Sequence, residues 1–329
     1  MEGTPPMSRS IRDIPGIYAG HATNAEAGTG CTVIICPDGA RGAVDVRGGA
    51  PATRETDLLR PEETVQTLNA VVLAGGSAFG LAASCGVAEE LERRGIGLDV
   101  GVGVVPIVSG ACVFDLACGD ASVRPTAADG VEAVKHAFEE KDLPLERGCV
   151  GAGCGCTVGK LAGPSRSMKS GLGESVKSAG ELLVGAVSAV NAVGNIVDPY
   201  TLKPMAGLLS EDQAHIVDEE EALIAASSHL VMPLERTNTT ISCVVTNARL
   251  TKAEATKVAQ MAADGYAHAI RPTHTTNDGD TIFVMATGAV DAPVDLVGTL
   301  AVRAIQDAIV DAARAATPSY GLKAASSLA

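Results

Sequence analysis

The chain has no tryptophan, and only four phenylalanines and four tyrosines stand among its 329 residues. A core so short of rings must be filled by Val, Leu, Ile and Ala. Layers of small side chains approach closely, which suits sheets sandwiched by helices. Basic residues are scarce too: 25 Lys and Arg face 39 Asp and Glu, a formal net charge of −14. So acidic a chain, poor in aromatics, neither coats a phosphate backbone nor stacks bases, which excludes general nucleic-acid binding. The opening residues, MEGTPPMSRSIRDIPG, lack a basic-then-apolar signal segment. Long apolar runs are missing as well. The two best, residues 100–116 and 182–197, are broken by Pro106, Asp115 and Asn191, too short or too polar to span a bilayer. These absences predict a cytoplasmic protein with no membrane segment. What is present is a hydrophobic content of 46%, which excludes intrinsic disorder. Nine cysteines, an odd number with Cys85, Cys112 and Cys243 inside apolar runs, read as reduced, small core residues.

Short apolar runs alternate with Gly-rich turns and amphipathic helices. Residues 31–36 and 42–47 read as strands around a turn at Pro37-Asp38-Gly39. A buried strand over 69–74 ends in Gly75-Gly76, and a helix follows over about 78–93. Residues 101–126 resist assignment; 130–140 read as helix, 149–160 as a Gly-rich loop or irregular strand, and 181–191 as a strand. Polar residues dominate from about 198 to 237, and the run Asp218-Glu219-Glu220-Glu221 reads as a solvated face. A strand starts at Thr239. Thr251 and Glu254 form a capping box for a helix that places Ala255, Val258, Ala259, Ala262 and Tyr266 on one face. Residues 280–287 read as a strand. A final helix over 294–316 turns Val297, Leu300, Ala301, Ala304, Ala308 and Ile309 inward. Paired strands with interspersed helices predict helices on both faces of largely antiparallel sheets.

Several motifs fail on inspection. Gly159-Lys160 lacks the Gly and the Ser or Thr of a phosphate loop, where Cys154 and Leu161 stand. Gly151-Ala152-Gly153 opens no dinucleotide fingerprint. Cys154 and Cys156 have no second pair at zinc spacing, so no metal or cofactor is expected. Gly75-Gly76-Ser77 imitates a nucleophile elbow, but Phe79 replaces the second glycine, and a tight strand-to-helix turn explains Ser77 near the helix start. His268 and His274 belong to no cluster and receive no catalytic role.

Three features make chemical sense together. Asn238-Thr239-Thr240 stands where a polar segment becomes a strand. Asp278-Gly279-Asp280 opens the next strand, and one intervening Gly puts both carboxylates on one side of an extended segment. Lys160 and Asn191 each edge an apolar segment. Taken singly, each has an ordinary reading: a β-branched strand starter, an Asp-Gly turn, a surface lysine, a strand end.

In order, and with the words around them, they resemble the self-processing aminopeptidase/amidase family that includes the L-aminopeptidase/D-esterases, the β-aminopeptidases and the nylon-oligomer hydrolases. The words run through nearly the whole chain: DIPG at 13–16, LAGGSAFGLAAS at 73–84, VPIVSGACVFDL at 105–116, GAGCGCTVGK at 151–160, AVNAVGNIVDP at 189–199, NTTISCVVTNARLTKAEA at 238–255 and IRPTHTTNDGDTIF at 270–283. The resemblance implies a four-layer αββα sandwich of mainly antiparallel sheets flanked by helices, the N-terminal-nucleophile hydrolase architecture, in one domain over 1–329. It implies self-cleavage between Asn238 and Thr239 into fragments 1–238 and 239–329. Thr239 becomes the nucleophile, with its new α-amine as base, since a Thr hydroxyl is weak until a base takes its proton. Asn191 is implied as oxyanion donor, Lys160 as neighbour of the Thr239 amine, and Asp278 and Asp280 as groups that orient Thr239 by hydrogen bonds.

Thr with Asp-x-Asp, in place of the aminopeptidase branch's Ser and Ser-x-Glu, looks like the nylon-oligomer hydrolase branch. The active-site tyrosine of the aminopeptidases cannot be placed on Tyr18, Tyr200, Tyr266 or Tyr320. The implied substrates are short peptides or ω-amino acid oligomers of the 6-aminohexanoate type, and the implied assembly is a homotetramer of cleaved pairs. An aminopeptidase/D-esterase, an acyl transferase like the ornithine acetyltransferases, and a non-catalytic binding protein of the same fold are the alternatives.

Overall fold

The structure is a computed structural model describing residues 9–226 and 238–328. Nine strands form its frame: β1 (Tyr18–Asn24), β2 (Thr29–Val46), β3 (Thr53–Arg54), β4 (Leu68–Ala74), β5 (Val108–Cys112), β6 (Leu172–Ala179), β7 (Leu182–Asn191), β8 (Thr239–Ala248) and β9 (Thr281–Val290). Among the described residues six α-helices accompany them: α1 (Ala83–Arg93), α2 (Ala127–Glu139), α3 (Glu219–Ala226), α4 (Lys252–Ala262), α5 (Asp264–Ala269) and α6 (Val294–Ala315). The hydrogen-bonded order is β6-β7-β8-β9-β2-β4-β5-β3, with β1 also on β2. Within this frame only β8–β9 and β4–β5 are parallel.

β2 explains why one path of strands makes two layers. The sequence predicts two strands around Pro37-Asp38-Gly39, but β2 runs through that turn signal without ending. Its first half, 31–35, pairs with β4; its second half, 41–46, pairs with β9. The register to β4 breaks between Ile35 and Ala40, so the turn residues form the irregularity at which the strand passes from one sheet to the other.

Strand alternation then sorts the apolar side chains into three layers of core. Ile34, Leu68, Val71, Val187, Ile241, Cys243, Val245, Phe283 and Met285 meet between the two sheets. Val33, Ile35, Val72 and Cys112 face outward against Val87 and Leu91 of α1 and Val134 of α2. Val184, Val244, Ile282 and Val284 face the other way, against Val258 of α4, Tyr266 of α5 and Val297, Ala304 and Ile305 of α6. The result is four layers, helix–sheet–sheet–helix, as expected. The scarcity of aromatics has a packing counterpart. A Cβ on Gly86 of α1 would stand 1.8 Å from the Ala127 carbonyl oxygen, and one on Gly130 of α2 2.0 Å from that of Ala83. The two helices touch backbone to backbone, a contact that only glycine permits.

Three local readings are corrected. The helix expected over 78–93 begins as a 3₁₀ stretch from Ser77 to Ala82, in which Ser77, at φ +54°, is the first residue and Gly76 the cap. The α4 capping box forms as expected, but the helix breaks at Ala263, and Tyr266 reaches the same core from α5. The acidic run is not wholly solvated: Glu219 is buried while Asp218, Glu220 and Glu221 are exposed. The end of the polar segment, 227–237, lies outside the described residues. Among the described residues, no helix is long and apolar enough to cross a membrane.

Candidate active site

Thr239 opens β8, and the antiparallel register sets it opposite Asn191, the last residue of β7. Parallel pairing of β8 with β9 extends one step further back, as a bridge between Asn238 and Asp278. The sheet alone therefore brings together Asn191, Asn238, Thr239 and Asp278, which the sequence separates by up to 87 positions (278 − 191).

Thr239 is 4% exposed, and its hydroxyl donates to the carbonyl oxygen of Asn238, the residue it follows. That oxygen also accepts the Gly279 backbone N–H at 3.1 Å. Gly279 lies flat on the threonine, where a Cβ would stand 2.8 Å from Thr239 Oγ1. The Asn191 carboxamide is oriented without ambiguity: its Oδ1 accepts the Thr157 N–H at 3.0 Å, and its Nδ2 donates to the Phe114 carbonyl at 2.8 Å. Lys160 Nζ donates to the Asn191 carbonyl at 2.8 Å.

The carboxylates divide the work. Asp278 Oδ2 accepts the Thr275 N–H at 2.7 Å. Asp280 binds one residue beyond the threonine: its Oδ1 accepts the Thr240 N–H at 2.7 Å, and its Oδ2 meets His274 Nδ1 at 2.8 Å, His274 N at 3.1 Å and Thr273 Oγ1 at 3.2 Å. None of these bonds reaches Thr239 itself. His274 in turn stacks on Tyr266, whose hydroxyl is shared with Ser242 Oγ at 2.8 Å and reaches the Thr240 carbonyl at 3.1 Å.

Burial dominates the electrostatics. It pulls the Lys160 ammonium down to about 7, against the opposite pull of Cys156, Asp278, Asp115 and Glu219. Burial and then the Asp280 carboxylate push Asp278 up to about 6, against Thr275 and Lys160. Burial is the largest single influence on His274 and opposes its charge, but the bond to Asp280, the Asp280 charge and the Ala263 backbone together leave the imidazole above its ordinary range. A third carboxyl belongs here. Glu219 is 1% exposed, and its Oε1 accepts the Leu161 N–H at 2.9 Å. Burial pushes it up to about 8 against Leu161 and Lys160, with Asp278 and Asp218 adding to the push.

Six buried side-chain polar atoms lack a hydrogen-bond partner among the described residues, and four of them are here: Glu219 Oε2, Thr240 Oγ1, His274 Nε2 and Asp278 Oδ1. Folded proteins leave few buried polar atoms unsatisfied, so their concentration in one place is an independent mark of a functional site. All the residues singled out in the sequence converge here. Glu219, Gly279, His274 and Tyr266 were missed. His274, six residues before Asp280, was the nearest to legible; Glu219 had no local signal to set it apart from its acidic neighbours.

Comparison with known proteins bears on the family and the fold. The profile of peptidase family S58 matches residues 9–326. An "uncharacterized aminopeptidase" of Mycobacterium leprae is 45% identical over 301 residues, 87% of this chain and 80% of that protein. A 6-aminohexanoate-oligomer endohydrolase of Paenarthrobacter ureafaciens is 32% identical over 285 residues, 85% of this chain and 76% of that one. In three dimensions, a Burkholderia β-aminopeptidase superposes with a TM-score of 0.66 at 22% identity, covering 98% of this chain and 92% of the other. The L-aminopeptidase D-Ala-esterase/amidase of Ochrobactrum anthropi, a variant of the N-terminal-nucleophile hydrolase fold, gives 0.68 at 18% identity, with 93% and 86% covered.

Proposed function

The chain belongs to peptidase family S58 and is a hydrolase; we propose that it is of the N-terminal-nucleophile type, that it cuts itself once, between Asn238 and Thr239, and that it then hydrolyses amides with the threonine so freed. One observation carries the reading: the Thr239 hydroxyl and the Gly279 N–H converge on the carbonyl oxygen of Asn238. Attack by Oγ on that carbonyl carbon puts negative charge on an oxygen that already accepts a backbone donor, the arrangement that stabilises a tetrahedral intermediate. The C–N bond breaks, the acyl group moves from nitrogen to oxygen, and water hydrolyses the ester. Fragments 1–238 and 239–329 result, still one folded domain.

In the uncut chain no α-amine exists at Thr239, so another group must take the hydroxyl proton. Lys160, divided between ammonium and amine near neutral pH, is suited to it. After the cut, the Thr239 α-amine has a reference pKa of about 7.7–8.0, lowered by a neighbouring ammonium, and serves as the base. Asp278 Oδ1 is the acceptor for that amine, and Asp280 fixes the threonine indirectly by holding the Thr240 N–H. Asn191 donates its amide to the substrate oxyanion; loss of such a donor costs about 3 kcal/mol of barrier. No step needs a metal or a cofactor.

We assign as substrates short peptides or linear oligoamides of the 6-aminohexanoate type, supported by Thr239 with Asp278 and Asp280 and by the name of the Paenarthrobacter relative. A second reading, removal of N-terminal residues, is supported by the name of the more similar mycobacterial relative. Hydrolysis of oligomers with a blocked amino terminus separates the two. Cytoplasmic residence and homo-oligomeric assembly complete the proposal; exposed Phe79, Val100, Val102 and Val105 supply apolar surface for the latter. Thr239→Ala tests the whole. It should remain one full-length species without amide hydrolysis, and normal two-fragment maturation of that variant would sink the assignment.

A further inference from the structure

Thr239 and Thr240 lie in a short gap in the pairing of β8 with β9. The two segments meet as a bridge at Asn238 and Asp278, and the regular ladder starts at Ile241 and Thr281. In the gap, side chains hold the Thr240 backbone. Asp280 Oδ1 accepts its N–H at 2.7 Å, and the Tyr266 hydroxyl donates to its carbonyl oxygen at 3.1 Å. Thr240 directly follows Thr239, so whatever fixes its backbone also fixes the direction in which the Thr239 hydroxyl points. His274 touches both holders. Its Nδ1 is 2.8 Å from Asp280 Oδ2, and its ring stacks on that of Tyr266 with centroids 5.5 Å apart and planes 22° from parallel. A carboxylate oxygen can only accept, so Nδ1 carries the hydrogen; the His274 backbone N–H donates to the same oxygen at 3.1 Å. His274 makes these contacts from the left-handed region, at φ +57°, and its Nε2 is buried with no hydrogen-bond partner among the described residues. A left-handed backbone at a residue with a side chain and an unpaired buried nitrogen both cost stability, and such costs gather at functional sites.

We propose that His274 is a positioning residue for the Thr239 reaction: through its bond to Asp280 and its stack on Tyr266 it sets the two side chains that grip the Thr240 backbone, and so aims the nucleophile. The inference rests on the reading of Thr239 as nucleophile. His274 touches no reacting atom. Its part resembles that of the third member of a triad, which orients a neighbour that acts, but here the orientation passes through the main chain of the strand. Two replacements at 274 separate donor from backbone. Asn tolerates positive φ better than most residues with a side chain, and its amide nitrogen is bonded to Cγ, as Nδ1 is in histidine, so it can donate to Asp280. Gly adopts the backbone without strain but offers no side-chain donor.

The experiment synthesises the full-length chain in a cell-free system with a pulse of labelled methionine and follows its conversion to the two fragments on denaturing gels; Met261 and Met285 label the smaller one. Wild type, H274G, H274N, Y266F, D280N and H274G/D280N are compared, with far-UV circular dichroism and thermal midpoints of the purified proteins to verify folding. H274G should slow the cut about tenfold or more, H274N should return it to within about threefold of wild type, and Y266F, which keeps the ring and loses only the hydroxyl, should slow it about threefold. Added to D280N, H274G should slow the cut by less than about twofold further, because its effect passes through Asp280. A cut in H274G or in Y266F at the wild-type rate would overturn the proposal. So would H274N as slow as H274G, since the donor would then be irrelevant, or an H274G effect undiminished in the D280N background. H274N and Y266F carry the test if H274G does not fold. Should wild type itself not cut before Thr239, the nucleophile reading has failed and the clamp with it, an outcome read from the wild-type trace alone.

Discussion

Asp278-Gly279-Asp280 and Asp218-Glu219-Glu220-Glu221 both deliver carboxyl groups to the same buried site, and they hold them very differently. The first segment is fixed from two sides. Its backbone accepts Arg47 N–H at 3.0 Å and Ala50 N–H at 2.8 Å, and its side chains accept from Thr275, Thr240, Thr273 and His274. The second rests on an eight-residue helix, and among the described residues the side chain of its buried member makes one hydrogen bond, accepting the Leu161 N–H. Groups that act on reacting atoms need rigid support from the scaffold. The sheet-borne pair has it. The helix-borne acid does not; it holds the Leu161 N–H, next to Lys160 in the chain. Acid density along the chain says nothing of this; the surroundings of each carboxyl decide it.

The comparison can be broken at several points. Asp280→Asn should do the most damage, because the new amide can still accept from Thr240 but cannot pair with His274. We expect self-cleavage slowed on the order of 10²-fold, in keeping with the cost of breaking a buried pair. Near-normal maturation, followed by intact mass, would show that the rigid support is unnecessary. Gly279→Ala comes next. Its Cβ would stand 2.8 Å from Thr239 Oγ1 and 3.0 Å from the Ala50 carbonyl, so backbone or threonine must move. Overpacking of this kind costs about 1–3 kcal/mol. The expected outcome is a lower thermal midpoint and a cut slowed about tenfold; an unchanged rate would place Thr239 elsewhere. Smallest of all, Glu220→Gln and Glu221→Gln should leave self-cleavage untouched and stability within about 0.5 kcal/mol by denaturant melts, as exposed positions do. If either slows the cut, the acidic run acts as a block, and the burial of Glu219 is no longer what distinguishes it.

The layers were legible from patterning, because the short apolar runs of β4, β8 and β9 and the helical stripe of α6 are strong local signals. β1 and β6 were not read at all. Tyr18–Asn24 and Leu172–Ala179 are short of large apolar residues, and Gly20 and Gly173 in them allow helices α2 and α6 to lie directly on the strands. A strand that packs through glycine leaves no hydrophobic alternation to read. At the site, the residues seen in advance were those in long motif words. Asp280 was identified, but its partner is the Thr240 N–H, a detail of register that a linear pattern does not hold. Glu219 was misread because four consecutive acids have no period, and a buried charge has no signature apart from the fold around it. The histidine and tyrosine behind Asp280 stayed unassigned for a similar reason: their contacts span 26 residues from Tyr266 to Thr240.

Intact mass of the wild-type protein under denaturing conditions, with the N-terminal residue of the smaller species identified, tests the central claim most directly. Two species are predicted: residues 1–238, and a fragment of 91 residues (329 − 238) that begins with Thr239. A single 329-residue chain after prolonged incubation at neutral pH, or a cut at any other bond, would contradict the account.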